Sequence, residues 1–346
     1  MNNPGLTKAL IAMSGGVDSA VAAALLASQG IEVVGLTLLL FDPGAEQCAR
    51  AAAEQARLLG MAHETYDARS LFREQVRMPF AEAYIAGRTP NPCVWCNPRV
   101  KFAALIQRAD ELGINLIATG HYARIDSAGR LLRAVDPDKD QSYFLYAVDP
   151  DWLPRLRLPL GAMSKVEVRA LAAQFGVDRL ARPESQEICF AQGDPYHRQV
   201  LNAEEARPGL IKNSQGTVLG EHRGVHLFTV GQRRGIGVAA DQPLYVIQIR
   251  PQSAEVLVGP REELDCRGLR TDQPRMLREV EPGAQALVKL RSRHNGTAAR
   301  IFPDERGCEV RFDEPTQGVA PGQAAVFYDP SGEIVLGGGT IVESIR

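Results

Sequence analysis

A glycine turn joins the first apolar run of the chain to its first helical pattern. The turn spans Ser14–Ser19 and reads SGGVDS, with a strand-like run before it and an alanine-rich helical pattern after it. Paired glycines let backbone N–H groups approach an anion, serine hydroxyls add donors, and the dipole of the helix favours negative charge. The turn therefore predicts a phosphate-binding site within a strand–turn–helix unit.

The turn does not fit the two commonest phosphate motifs. It has no lysine, which the GxxxxGK[ST] motif requires, and only two adjacent glycines, whereas the dinucleotide motif needs GxGxxG. An ordinary glycine turn before a helix is the alternative. The intact SGGxDS pattern is similar to the pyrophosphate loop (PP-loop) of enzymes that adenylate a substrate and release pyrophosphate.

Composition bounds the class of protein. With 346 residues the chain exceeds the usual size of a single core, and no apolar run approaches the roughly 20 residues that a membrane helix needs. The first residues show no secretory signal pattern, so we expect a cytoplasmic protein without a membrane partner. Six cysteines are too few for a disulfide scaffold, and a net charge of −2 means that a nucleic-acid partner would need local basic patches.

The order of the patterns predicts the fold class. In the first half, four strand-like runs alternate with helical patterns, which is typical of an α/β fold with a doubly wound parallel sheet and a ligand at the carboxyl ends of its strands. After about residue 194, short β-branched runs with Gly and Pro predict antiparallel sheet or barrel structure. We predict a catalytic domain over 1–205, a small β-rich middle domain over 206–262 and a C-terminal β-barrel over 263–346.

A Cys-x-x-Cys pair, Cys93 and Cys96, follows two closely spaced prolines, Pro90 and Pro92. Because proline breaks helices, we expect these cysteines to lie in a stiff loop outside the core. The pair alone could be half of a zinc site, a redox pair, an iron–sulfur ligand pair or a coincidence. No second CxxC accompanies it, which weakens the zinc interpretation.

Several ordered stretches resemble one family, the tRNA-specific 2-thiouridylases, which replace the 2-oxygen of the wobble uridine with sulfur. The resemblance covers nearly the whole chain. The matching stretches are Ser14–Ser19, Thr89–Asn97 with Lys101 and Phe102, Thr119–Arg124, Asp138–Leu145, Ser185–Phe190, Gly224–Gly237 and Leu336–Ile341.

The resemblance implies roles for individual residues. Cys96 would be the nucleophile, and Cys189 would carry a persulfide intermediate. ATP would be bound, with Mg²⁺ at Asp18, by Ala12, Met13, Ser14, Gly15, Gly16, Val17, Asp18, Ser19, Leu38 and Gly120. The tRNA would be contacted by Asn91, Pro92, Cys93, His121, Lys139, Asp140, Gln141, Arg291, Ser292 and Gln323.

Cys93 adds a third thiol to the two that the persulfide scheme needs. Some family members carry Asp at this position. Thiolates are the normal ligands of iron–sulfur clusters, so Cys93, Cys96 and Cys189 could hold a 4Fe-4S cluster that delivers exogenous sulfide. The persulfide route, by contrast, uses Cys96 and Cys189 alone.

The basic residues Lys289, Arg291 and Arg293 occur at every second position. This alternation predicts that all three lie on one face of a strand, as a tRNA-binding surface or as an ordinary solvated face. The remaining cysteines, Cys48, Cys266 and Cys308, are interpreted as packing residues.

The resemblance also implies partners. It implies tRNA as substrate, namely the Lys, Glu and Gln tRNAs, and a sulfur donor such as a cysteine desulfurase, a sulfur-relay protein or free sulfide. Two alternatives stay open: another PP-loop adenylating enzyme, which would need no paired cysteines, and a metal-stabilised RNA-binding protein with a vestigial nucleotide loop, which would not consume ATP.

Overall fold

A computed structural model describes residues 7–41, 44–178, 189–190 and 207–346. The chain divides into two compact units. The first takes in Met1–Val76, Cys93–Phe190 and Glu333–Val335, and the second takes in Arg77–Pro92, Ala191–Gly332 and Leu336–Arg346. In the part of the chain that the structure describes, no helix has the length and apolarity needed to cross a bilayer.

The first unit is built on a five-stranded parallel sheet of order β3-β2-β1-β4-β7, with a small antiparallel hairpin, β5-β6, beside it. The predicted doubly wound sheet is thus confirmed. β7, β5 and β6 were not predicted, because two- and three-residue strands leave no periodic pattern. The strands are β1 (Lys8–Ala12), β2 (Glu32–Leu39), β3 (Ala62–Asp67), β4 (Leu116–Ala118), β5 (Ala123–Ile125), β6 (Leu131–Arg133) and β7 (Leu156–Arg157).

The described residues of the two units form seven α-helices. Helix α1 is alanine-rich and almost wholly buried, because small side chains let it pack closely between the sheet and α7. The helices are α1 (Val17–Ser28), α2 (Ala45–Leu58), α3 (Arg69–Phe72), α4 (Met78–Ile85), α5 (Pro92–Cys96), α6 (Ala103–Glu111) and α7 (Lys165–Gln174).

Two of the helical runs contain π-helical segments, Arg73–Arg77 and Asn97–Phe102. The second begins directly after α5 and contains Pro98, whose nitrogen has no hydrogen to donate to the helix ladder. The prediction that the cysteine pair lies in a loop outside the core is wrong. Pro92 instead begins α5, because proline is tolerated in the first helical turn, and Cys96 is only 4% exposed.

The second unit contains two β structures. A four-stranded sheet has the order β10-β11-β8-β9, and a closed barrel has the order β12-β15-β14-β13-β16-β17, as predicted. Cys266 and Cys308 are buried in the apolar core of the barrel. The strands are β8 (Gly209–Asn213), β9 (Val218–His222), β10 (Tyr245–Arg250), β11 (Glu255–Gly259), β12 (Cys266–Met276), β13 (Ala284–Lys289), β14 (Thr297–Asp304), β15 (Gly307–Thr316), β16 (Ala324–Tyr328) and β17 (Val335–Ile345).

The predicted basic strand face does not form. Strand β13 ends at Lys289, which is 3% exposed and lies with its Nζ 5.7 Å from the ring centroid of Tyr328. Arg291 and Arg293 are exposed and follow the strand in a turn that is closed by a hydrogen bond from His294 N to Arg291 O. The prediction of a single basic face required β13 to continue to Arg293, but the strand ends at Lys289.

Candidate active site

The glycine turn connects the end of β1 to the start of α1 and leaves backbone N–H groups there without a side-chain cap. Gly15 has φ +76°, and a Cβ at this position would lie 2.9 Å from the carbonyl oxygen of Cys48. Gly16 is the N-cap of α1, and no side chain caps the helix there. The first N–H groups of α1 are therefore available to an anion, and the helix dipole favours one.

Two side chains, Ser19 in the turn and Gln55 on α2, form hydrogen bonds with the backbone of the glycine turn. Ser19 Oγ accepts from Ser14 N at 3.2 Å and donates to Gly16 O at 3.2 Å. Gln55, fully buried on α2, donates from Nε2 to Gly15 O at 3.3 Å. Sequence analysis missed Gln55, because nothing in a helical pattern marks which polar residue reaches back to a loop.

Asp18, in the first turn of α1, has two partners on one oxygen. Lys165 Nζ donates to Asp18 Oδ1 at 2.6 Å, and the hydroxyl of Tyr122 donates to the same oxygen at 2.8 Å. Lys165 is the first residue of α7 and is 7% exposed. This ion pair, in which Lys165 is buried and Asp18 is partly exposed, ties the glycine turn to the start of α7 and fixes the orientation of the carboxylate.

A pocket of about 350 Å³ opens at the carboxyl ends of β1, β2 and β4. Gly120, after β4, packs against the start of α1, since a Cβ there would lie 2.9 Å from Ser19 N. The pocket brings together many of the residues predicted from sequence. Those that line it are Ala12, Met13, Ser14, Asp18, Ser19, Leu38, Gly120, His121, Gln141 and Cys189.

The two predicted catalytic cysteines lie close to this pocket. Cys189 lines it directly, whereas Cys96 is buried in an apolar cluster with Phe72 and Val100. Phe190, next to Cys189, packs on the same cluster and meets the ring of Phe72 at 5.6 Å. Residues 185–188 of the matching stretch lie outside the described residues.

Lys101 is a basic residue that interacts with the three cysteines Cys93, Cys96 and Cys189, and sequence analysis gave it no role. It lies five residues after Cys96, across the π-helical segment, in which hydrogen bonds join residues five apart. Lys101 lines the same pocket, interacts electrostatically with Cys93, Cys96 and Cys189, and has no carboxylate ion pair among the described residues. Burial lowers the pKa of Lys101, but negative charge on the three sulfurs raises it more.

Burial sets the protonation of the other groups. It raises the pKa of the Cys96 thiol to about 12, although Lys101 opposes the shift, and it raises the pKa of Cys93 and Cys189 in the same direction. Burial and the charge of Lys101 lower the pKa of His121 to about 3. At neutral pH, His121 is therefore neutral and the resting thiols are protonated.

We tested whether the three thiols fit a metal cluster. Among the described residues, which include Cys93, Cys96 and Cys189, no three His, Cys, Asp or Glu side chains are arranged to hold a metal ion. The three thiols are therefore not placed to share a single metal ion in the described arrangement.

Comparison with known proteins places this geometry in a family. The family model described as "tRNA methyl transferase HUP domain" matches residues 7–193, and the models for the "tRNA methyl transferase PRC-barrel domain" and the "Aminomethyltransferase beta-barrel domain" match 199–260 and 266–341. The tRNA-specific 2-thiouridylase MnmA of Xanthobacter autotrophicus is 44% identical over 99% of this chain and 95% of its own length. The chain belongs to the tRNA-specific 2-thiouridylase family.

Further members of the family are similarly close. The 2-thiouridylase of Rhizorhabdus wittichii is 46% identical over 96% of this chain and 90% of its own length. Among solved structures, a 4-thiouridine synthetase–RNA complex with bound ATP is a much weaker match, with a TM-score of 0.38 and 20% identity over 55% of this chain and 47% of that one.

The tRNA-contact residues implied by the family occupy different environments in the first unit. The side chain of Asp140 is 1% exposed and accepts hydrogen bonds from the backbone N–H groups of Ala134 and Ser142 and from Arg133 Nε. Gln141 accepts through Oε1 from Tyr122 N at 2.9 Å. These two side chains hold the loop in place, and the partly exposed Lys139 lies beside them.

In the second unit, the segment before the cysteine pair is anchored to the barrel. Thr89 N donates to Pro321 O at 2.8 Å, and a Cβ on Gly322 would lie 2.8 Å from Thr89 N. Gln323 follows in the same turn, so the loop that leads to Asn91 and the turn that carries Gln323 are fixed to each other. Both residues are partly exposed.

Proposed function

We propose that this protein is an ATP-dependent tRNA thiolase of the cytoplasm that converts the wobble uridine of Lys, Glu and Gln tRNAs to 2-thiouridine, in line with its membership of the tRNA-specific 2-thiouridylase family. The observation that carries the proposal is that a phosphate-binding turn and a sulfur site share one pocket, which is lined by both Asp18 and Cys189. An RNA-binding protein with a vestigial nucleotide loop has no need for this arrangement.

The first step activates the base. The uridine 2-oxygen attacks the α-phosphorus of ATP, pyrophosphate leaves, and the oxygen becomes part of an AMP leaving group. The N–H groups at the start of α1 and the hydroxyls of Ser14 and Ser19 offset the charge on the departing pyrophosphate.

A magnesium ion fits this step. Asp18 is the only carboxylate among the described residues that line the pocket, and Mg²⁺ is commonly bound through one or two carboxylates plus substrate phosphates. When bound, the ion would supply charge compensation for the phosphates. Lys165 and Tyr122 would keep the carboxylate oriented for it, because both use Oδ1.

The second step delivers sulfur. A donor protein or free persulfide loads one sulfur atom onto Cys189. The Cys96 thiolate attacks Cys189 Sγ, the S–S bond of the persulfide breaks, and hydrosulfide leaves as a Cys96–Cys189 disulfide forms. Hydrosulfide then attacks C2 of the adenylated uridine and displaces AMP, and a dithiol reductant supplies the two electrons that reopen the disulfide.

Lys101 supports this step by its charge. A thiolate and a hydrosulfide form in surroundings that penalise anions, as the raised pKa of Cys96 indicates. The Lys101 ammonium offsets the negative charge first on the Cys96 thiolate and then on the hydrosulfide that leaves. No step passes through an iron–sulfur cluster, because the persulfide route needs only Cys96 and Cys189.

The test measures three products in one incubation. Unmodified tRNA, ATP and a persulfide donor should yield AMP, pyrophosphate and 2-thiouridine together. Cys189→Ser should still form pyrophosphate but no 2-thiouridine, because the adenylation groups are intact. Binding of tRNA without pyrophosphate formation would contradict the proposal and support the vestigial-loop alternative.

A further inference from the structure

A tryptophan lies between the two cysteines of the pair. Helix α5 presents Val94 and Cys96 to the interior, at 3% and 4% exposure, whereas Trp95 keeps part of its ring in solvent. Because Val94 and Cys96 already fill this part of the core, the large side chain of Trp95 is not needed there for packing. Its partly exposed ring is a planar apolar surface one residue away from the proposed nucleophile.

Arg99 extends this surface. Residues four apart lie on the same side of a helix, and the guanidinium carbon of Arg99 lies 5.9 Å from the centroid of the Trp95 ring. Arg99 is exposed and forms no salt bridge in the described part of the chain. The pair therefore combines an aromatic face with an uncompensated positive charge.

An ordinary solvated cation–π pair is the simplest alternative. Such a contact on a surface contributes about 0.5–1 kcal/mol, which does not explain why a large ring would be kept partly in water beside a reactive thiol. Unpaired bases in RNA loops, in contrast, are recognised by stacking on aromatic rings and on arginine guanidinium planes. The phosphate next to such a base would also meet the charge of Arg99.

We propose that Trp95 and Arg99 form a stacking platform for an unpaired RNA base next to the nucleotide that is modified. The platform would hold the flanking base while the target uridine reaches the pocket. The inference rests on the proposed function, since it takes the anticodon loop of a tRNA as the ligand. It adds a contact that depends on the π-face of a base and not on its hydrogen-bonding edge.

Fluorescence gives a direct test, because the chain has only two tryptophans, Trp95 and Trp152. Trp152→Phe leaves Trp95 as the sole fluorophore, and addition of an anticodon stem-loop RNA should quench its emission. The matched control is Trp95→Phe, in which Trp152 should report little change. Stem-loops with a single abasic nucleotide on either side of the target uridine should locate the stacked base, since one of them should lose the quenching.

Affinity gives a second readout. Trp95→Ala should weaken binding of the stem-loop about 5- to 150-fold, the range expected for the loss of one stacked base, and Trp95→Phe should retain most of the affinity. The KM for ATP should not change in either variant, which also reports that the pocket is intact. The proposal is overturned if no abasic substitution relieves the quenching, or if Trp95→Ala binds as tightly as the wild type. In both cases, 2-thiouridine formation by the wild type would leave the proposed function standing.

Discussion

Lys165 Nζ lies 2.6 Å from Asp18 Oδ1, and this ion pair joins the first helix of the nucleotide site to α7 in the same unit. Lys165 is nearly buried, and the Tyr122 hydroxyl donates to the same oxygen. Breaking one member of a buried pair leaves an uncompensated charge, so the two residues should act as a unit.

Asp18→Asn should slow pyrophosphate release by a large but measurable factor while tRNA binding stays close to that of the wild type, because the implied tRNA contacts are other residues. Lys165→Met should also slow pyrophosphate release. The double variant should be no worse than the worse single variant, since the interaction is already lost. Additive losses in a double-mutant cycle of pyrophosphate release would show that the two side chains act separately.

The pKa of Cys96, raised by burial to about 12, predicts an unusual pH profile for its alkylation. Only the thiolate reacts, so the rate should still rise about tenfold between pH 9 and pH 10, whereas a thiol with a pKa near 8.5 gains less than twofold. Peptide mass spectrometry after timed iodoacetamide treatment measures this. A plateau near pH 9 would show that Cys96 is an ordinary thiol, and Lys101→Met should slow the reaction further.

His121 should make folding sensitive to acid. Burial, helped by the charge of Lys101, lowers its pKa to about 3, so the folded state prefers the neutral ring. Its contribution to stability is complete above the unfolded pKa of about 6.5 and is lost as pH falls towards 3. Between pH 7 and pH 5, the free energy of unfolding should fall by about 2 kcal/mol more in the wild type than in His121→Gln. Urea unfolding at the two pH values measures the difference, and equal losses would place His121 in a solvated setting.

Charge reversal at Arg291 and at Lys289 should have different effects, the first on RNA binding and the second on the stability of the barrel. Arg291→Glu should weaken tRNA binding and reduce the salt slope by about one, as expected for the loss of a phosphate contact. Lys289→Glu should instead destabilise the barrel, because Lys289 is 3% exposed. Binding titrations at several salt concentrations, with thermal unfolding alongside, measure both effects. An unchanged salt slope in Arg291→Glu would identify this turn as an ordinary solvated surface.

Iron content decides between the two sulfur routes. The proposed route uses Cys96 and Cys189 alone, so protein purified without oxygen should be free of stoichiometric iron, and Cys93→Ala should thiolate tRNA. A brown preparation with broad absorption near ~400 nm, whose colour and activity are both lost in Cys93→Ala, would instead establish the cluster.

Patterns over short stretches of sequence predicted the elements whose formation depends on residues close together along the chain. The glycine turn, the parallel sheet and the barrel follow from strand and helix periodicity and from the demands of an anion site. Helix α7 begins at Lys165 because Ser164 and Glu167 form a capping box at its start.

What the sequence did not reveal depends on residues that are distant along the chain. Gln55 and Gly15 are 40 residues apart, and Lys165 and Asp18 are 147 apart, so no periodicity marks these contacts. The environment of Lys101 depends on the π-helical segment, which alters the face that the side chain occupies. Arg291 and Arg293 were misplaced for a similar reason, because a pattern of alternation does not show where a strand ends.

The central claim is that one pocket couples ATP cleavage to sulfur transfer. The most direct test is a single-turnover reaction in which Cys189 is first loaded with isotopically labelled persulfide and the protein is then mixed with ATP and unmodified tRNA. We predict one labelled 2-thiouridine for each AMP and each pyrophosphate released. Release of AMP and pyrophosphate with the label still on the protein, or labelled 2-thiouridine formed without ATP, would contradict the account.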